Sequence, residues 1–234
     1  DNRKKQWEKD RISRFDFKLT REALFRHLKP SKSDVILEIG CGPGKWSNEV
    51  ARRCKSLTAI DISPEMVKAA RAYCKRDNAQ FMQGDFVKAK IPGKFDKIFA
   101  VRVIEYAKDK AAFIRKAESL LKPGGKLVIV TKSRPCLWGL TKKVSGFWQE
   151  KISHSRLAKQ LDNAGFADVR SEPIIIRLPI FKRGNREFPI VGERSETKVL
   201  SYFEKVSRKA VRSKGVKKRL LLLLAESYII SARR

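Results

Sequence analysis

The chain has 234 residues, with 54 Lys or Arg against 25 Asp or Glu and a formal net charge of +29. That length suits one α/β domain with an ample core plus an extension or insertion. The charge implies attraction to polyanions, either nucleic acid or an anionic membrane leaflet, unless it is general surface lysine enrichment. Cys41, Cys54, Cys74 and Cys136 form no C-x-x-C pair and have no histidine at ligand spacing, which argues against a metal site or disulfide framework and fits a reducing, cytoplasmic setting. No apolar run approaches the roughly 20 residues that span a bilayer.

Residues 1–29 predict a basic helical extension, with Trp7, Ile12, Phe15, Phe17, Leu24, Phe25 and Leu28 as its apolar members and Thr20 as an N-cap for residues 21–29. Val35-Ile36-Leu37-Glu38-Ile39 then reads as a buried central strand, followed by the turn Gly40-Cys41-Gly42-Pro43-Gly44 and a helix over Lys45–Arg53. The glycines are spaced G-x-G-x-G, whereas the turn that cradles a dinucleotide pyrophosphate is G-x-G-x-x-G. Glu38, two residues ahead of the first glycine, suits a cationic ligand better than a diphosphate.

Glu38–Gly44 resembles motif I of the class I S-adenosylmethionine-dependent methyltransferases. The resemblance implies S-adenosyl-L-methionine as cofactor, which carries an amino group and a sulfonium and no phosphate. Ser56–Asp61 reads as the second strand, ending in an acid about 20 residues past the turn, where a carboxylate can accept hydrogen bonds from both ribose hydroxyls. Ser63-Pro64-Glu65 opens a helix with proline at its first position. Ala79–Phe86 is a third strand and its loop. There Asp85 could accept the adenine amino proton and Phe86 could cover the ring or its edge; Gly84-Asp85-Phe86 falls on the adenine-binding motif of the resembled family.

Phe95–Val101 reads as the fourth strand, whose end in that family faces the methyl-transfer centre. Arg102–Tyr106 is similar to the "xxLEH" stretch of its small-molecule members, with Tyr106 where histidine is usual. The Asn/Asp-Pro-Pro-aromatic motif of nucleic-acid amino-methyltransferases is absent, which disfavours exocyclic amines of DNA bases as acceptors. An amphipathic helix over Lys108–Leu121, a stop at Lys122-Pro123-Gly124-Gly125 and a fifth strand over Lys126–Thr131 match the family closely. A helix from Ser153 to Asn163 precedes strand-like residues 167–171, a sixth strand over Pro173–Leu178 and a seventh over Ala225–Ser231.

The resemblance therefore implies a Rossmann-like, doubly wound α/β domain over residues 30–234. Its seven-stranded sheet is mostly parallel with an antiparallel last strand, residues 1–29 form a helical extension or lid, and a basic insertion occupies about residues 179–219. The implied cofactor contacts are Glu38, Gly40, Cys41, Gly42, Gly44, Asp61, Ile62, Gly84, Asp85, Phe86, Val101 and Arg102. Glu105, Tyr106 and His154 are the candidates for a catalytic base. Glu105 could equally face solvent from a helix start, and His154, flanked by Ser153 and Ser155, reads more readily as part of a helix cap.

The insertion is patterned. Val199, Tyr202, Phe203, Val206 and Ala210 recur at helical spacing, and Ser207–Arg219 holds seven Lys or Arg and no acid. Such a segment reads as a membrane-surface helix, as a run that tracks phosphates, or as a helix packed on the domain with solvated lysines. The function expected is methyl transfer to a small or lipid-like acceptor, at an anionic membrane surface through about residues 196–219. RNA or protein methylation is the alternative; a non-catalytic cofactor-binding module and a nicotinamide-dependent oxidoreductase are the rivals from other classes.

Overall fold

One sheet of seven strands, in the order β3-β2-β1-β4-β5-β7-β6, organises the computed structural model, which describes residues 11–133, 150–176 and 193–234. Strands β1 (Val35–Ile39), β2 (Ser56–Asp61), β3 (Ala79–Gln83), β4 (Phe95–Val101) and β5 (Leu121–Lys132) are parallel. β7 (Ser227–Arg233) lies antiparallel between β5 and β6 (Ala167–Ile175). The helices are α1 (Arg11–Leu28), α2 (Lys45–Ala51), α3 (Pro64–Tyr73), α4 (Lys110–Leu120), α5 (His154–Asn163), α6 (Glu193–Val211) and α7 (Gly215–Leu224). This is the Rossmann-like architecture expected. Because β1 pairs with β2 on one side and β4 on the other, the strand order reverses there, and a crevice opens past the carboxyl ends.

The alternation of β1, β4 and β5 divides the core. Leu37, Ile39, Ile98, Ala100, Leu127 and Ile129 pack on one face with Ile114 of α4 and Leu157 of α5. Ile36, Phe99, Val128 and Val130 pack on the other with Phe15, Leu19 and Leu24 of α1 and Val50 of α2. Helix starts follow local chemistry. Ser63 Oγ accepts from Met66 N at 3.2 Å ahead of Pro64, and Asp109 Oδ1 accepts from Ala112 N at 2.8 Å, which places the start of α4 two residues after the expected Lys108.

Four expectations need correction. Thr20 caps nothing: α1 runs through it, and Thr20 is buried among the residues that fix α1 on the sheet. The sixth strand starts at Ala167 and includes Pro173, tolerated because β6 is an edge strand; Arg177 and Leu178 lie outside the described residues. The seventh strand is Ser227–Arg233, two residues later than expected, because pairing with β5 from Lys132↔Ser227 to Lys126↔Arg233 sets its register. The basic segment is two helices, α6 and α7, broken before Gly215 at φ 58°.

Helix α6 packs on the domain. Phe203, Ser207 and Ala210 are buried, Ile176 N donates to Ser207 Oγ at 3.1 Å, and Arg208 forks onto Glu22 at 2.7 and 2.8 Å. Trp7, Cys136, residues 179–192 of the insertion, and the side chains of Ile12 and Val199 lie outside the described residues.

Candidate functional site

The turn after β1 is shaped by what lies behind it. Gly40 N and Cys41 N both donate to Ile60 O of β2, at 2.7 and 3.2 Å, and Gly40 has φ 70°. A Cβ on Gly40 would lie 2.3 Å from Val103 Cγ2, so the position excludes any side chain. Gly42, at φ 50°, has nothing within 4 Å of where a Cβ would stand, leaving an open side for a ligand.

Asp61, at the end of β2, ties this turn to its neighbours. Its Oδ2 accepts from Gly42 N at 2.8 Å, its Oδ1 from Ser63 N at 3.0 Å, and its carbonyl from Gly84 N at 2.9 Å. Each carboxylate oxygen keeps acceptor capacity for a further donor, such as a ribose hydroxyl. Ile62 beside it is 68% exposed, an apolar wall for a flat ring.

Glu38 is 1% exposed, and its Oε2 accepts from Ser47 Oγ of α2 at 2.5 Å. Burial pushes its carboxyl up to about 8, Ser47 opposes this, and the nearby Asp61 charge adds to it. An ammonium or sulfonium beside such a buried carboxyl would favour its ionised form. Burial, Glu38 and Asp61 likewise push the Cys41 thiol up, so it is no nucleophile.

Asp85 Oδ1 accepts from Val87 N at 2.9 Å, closing the loop after β3. The Phe86 ring is buried in the core, 4.9 Å from that of Phe113. Ile62 is the exposed apolar group beside Asp61.

The end of β4 carries a second cluster. Arg102, at φ 61°, donates its backbone N–H to Val130 O at 2.8 Å, while its Nη1 is buried with no hydrogen-bond partner among the described residues. Glu105 does not face solvent: it is 2% exposed in the 3-10 turn Ile104–Tyr106. Its Oε1 accepts from Lys132 N at 3.3 Å, and its Oε2 is buried with no partner among the described residues. Thr131 Oγ1 and Ser227 Oγ, on paired β5 and β7, are in the same condition. Lys132 is held below the usual lysine range by burial and by Arg102, against the pull of Glu226 and Glu105.

Tyr106 is 49% exposed. His154 is the first residue of α5, but the cap is Ser153, whose Oγ accepts from Arg156 N at 3.3 Å. The histidine's ring stands edge-on to Tyr228 at 6.2 Å, and burial alone lowers its pKa.

Sequence reasoning missed Ser47, Val103 and the stacked pair Phe17–Trp46, 4.5 Å apart, which docks α1 over the start of α2 with Lys45 Nζ 3.9 Å above the Phe17 ring. Ser47 had a signal: a buried carboxyl needs a donor, and Ser47 is the one hydroxyl in Lys45–Ala51.

Residues 37–129 match the family model described as a methyltransferase domain. That match covers less than half of the chain. Among similar proteins, the ubiquinone biosynthesis O-methyltransferase of Xanthomonas euvesicatoria pv. vesicatoria (strain 85-10) is 34% identical over 146 residues, which cover 56% of this chain and 61% of that protein. The chain thus spans about three fifths of that relative's length. An S-adenosylmethionine-dependent methyltransferase from Mesorhizobium loti shares the fold, with TM-score 0.66 and 19% identity over 94% of this chain and 100% of that one. So does the N-methyltransferase NodS of Bradyrhizobium japonicum WM9 in complex with S-adenosyl-L-homocysteine, with TM-score 0.59 and 18% identity over 98% and 90% of the two chains.

Proposed function

We propose that the chain is an S-adenosylmethionine-dependent methyltransferase whose acceptor is a small or lipid-like molecule presenting a hydroxyl, met at an anionic membrane surface. The observation that carries the cofactor half is the double hold of Asp61 on Gly42 N and Ser63 N, set beside the buried carboxyl of Glu38. These residues fit the cofactor: two carboxyl groups for its positive charge and ribose, an open Gly42, and an exposed Ile62 for its base. When bound, S-adenosylmethionine supplies an electrophilic methyl group on a sulfonium that leaves as a neutral thioether.

The remaining work falls to this chain's own residues. Alignment of acceptor and cofactor can supply on the order of 7–11 kcal/mol in favourable cases. Oε2 of Glu105, buried and without a partner among the described residues, is the atom we assign to receive the hydroxyl proton, with Arg102 and Thr131 as further donors to the acceptor. The hydroxyl reading is supported by the O-methyltransferase relatives.

RNA is the weaker reading. The groove between Lys32, Arg52, Lys75 and Arg76 lies at the amino-terminal rim of β1–β3, across the sheet from the turn, so a polyanion held there is remote from the methyl group. Incubation with methyl-labelled cofactor and a panel of phenols and catechols, with and without isoprenoid tails, tests the proposal against bulk RNA and basic peptides. Label in a phenolic ether supports it; label only in RNA or peptide contradicts it.

A further inference from the structure

Helix α7 (Gly215–Leu224) presents two unlike faces. Leu222 is 4% exposed, and Leu221 packs against Ile176, Ala210 and Ala225. On the other side Val216, Leu220 and Leu223 are 82%, 55% and 45% exposed. Their spacing of four and three residues makes one stripe along the helix. At 3.6 residues per turn, Lys217 falls on one flank of that stripe and Arg219 on the other.

The surrounding charge is one-sided. Residues 207–225 contain no Asp or Glu. Arg208 is engaged by Glu22 and Glu204, whereas Lys209, Arg212, Lys214, Lys217, Lys218 and Arg219 have no ion-pair partner among the described residues.

We infer that this face of α7 docks on an anionic lipid leaflet, with Val216, Leu220 and Leu223 entering the acyl boundary and Lys214, Lys217 and Arg219 meeting lipid phosphates. A bilayer is the occupant that uses both parts of the surface. RNA would engage the cations but not branched alkyl chains, which offer no stacking platform for bases. A second copy would bring the same positive charge against itself. An apolar stripe or a basic patch alone binds membranes marginally, and the two together bind reversibly but stably.

The inference rests on the membrane half of the proposed function and not on methyl transfer. It also moves the contact from α6, whose Phe203, Val206 and Ala210 pack on the domain, to α7.

Flotation of the full chain with phosphatidylcholine vesicles, with and without phosphatidylglycerol, tests it. The chain is expected to float only with the anionic vesicles. The Val216→Ser, Leu220→Ser, Leu223→Ser variant is expected to lower the partition coefficient by about tenfold or more, with the far-UV spectrum and S-adenosylhomocysteine affinity unchanged. Val216→Asp, at a position too exposed to disturb the core, is expected to shift binding in the same direction.

If the parent chain floats and both variants float equally well, the assignment to α7 is overturned while the membrane reading stands. If the parent chain fails to float on anionic vesicles, both are overturned, and salt-sensitive retention of RNA would then account for the charge.

Discussion

The two halves of the sheet's carboxyl rim are built on opposite terms. Along β1, β2 and β3 the polar groups have partners: Asp61 holds Gly42 N and Ser63 N, Glu38 holds Ser47, and Asp85 holds Val87 N. Along β4, β5 and β7, Arg102 Nη1, Glu105 Oε2, Thr131 Oγ1 and Ser227 Oγ are buried without any among the described residues. An orphaned buried polar atom costs about 1–3 kcal/mol, so the second half carries a standing penalty that a ligand with matching donors and acceptors would remove. In our reading the first half is fixed in advance for one cofactor, and the second is completed by the acceptor.

The comparison can be broken at either half. Gly40→Ala places a Cβ against Val103 at φ 70° and is expected to cost about 2–5 kcal/mol of stability in a denaturant melt. Gly42→Ala meets open space and should lose only the backbone term of about 1–2 kcal/mol. Equal losses would mean that Val103 does not shape the turn.

Glu105→Gln is expected to reduce kcat by on the order of 100-fold while leaving S-adenosylhomocysteine affinity unchanged; a fall in affinity with kcat intact would move Glu105 to the cofactor half. Asp61→Ala should weaken the cofactor by about 1–3 kcal/mol in a calorimetric titration, and unchanged affinity would misplace the ribose.

The smallest expected effect is one of pH. Glu38 keeps its proton up to about 8 in the folded chain, above the ordinary carboxylate range, so its protonation favours folding. That contribution is complete below the ordinary range and is lost as the pH rises through about 8. A cation in the turn favours the ionised form. Binding at neutral pH should therefore release a proton, and affinity should climb with pH towards about 8 by at most ~10-fold per unit. Titrations in buffers of different ionisation enthalpy, with Glu38→Gln as the reference for the cofactor's own amino proton, read this directly.

How far these features could be read beforehand depended on how local their causes are. The turn, Asp61 and the Ser63 cap are set within a few residues, and their spacing was legible. So was the stop of α4 ahead of Lys122–Gly125, where a Cβ on Gly125 would stand 2.8 Å from Lys122 O. Thr20 looked like a cap because its side-chain chemistry allows one, but burial of Phe15, Leu19 and Leu24 against the sheet carries the helix past it. Phe86 follows an acid at a strand end, and that its ring packs on Phe113 was not visible in the local sequence.

The basic segment shows the same limit. Its helical spacing was visible, yet which stripe packs and which stays exposed was decided by β6 and α1 for α6, and by Ile176 and Ala210 for α7. The acceptor half was the least legible, because Arg102, Glu105, Thr131 and Ser227 come from three strands and one turn that only the sheet order brings together.

The central claim is that the glycine turn with Glu38 and Asp61 encloses a cationic sulfur nucleoside and not a dinucleotide. Calorimetric titration of the full chain with S-adenosylhomocysteine and, separately, with NAD tests it most directly. One site for the nucleoside and no heat with NAD is the result expected; a site for NAD with none for S-adenosylhomocysteine would contradict it.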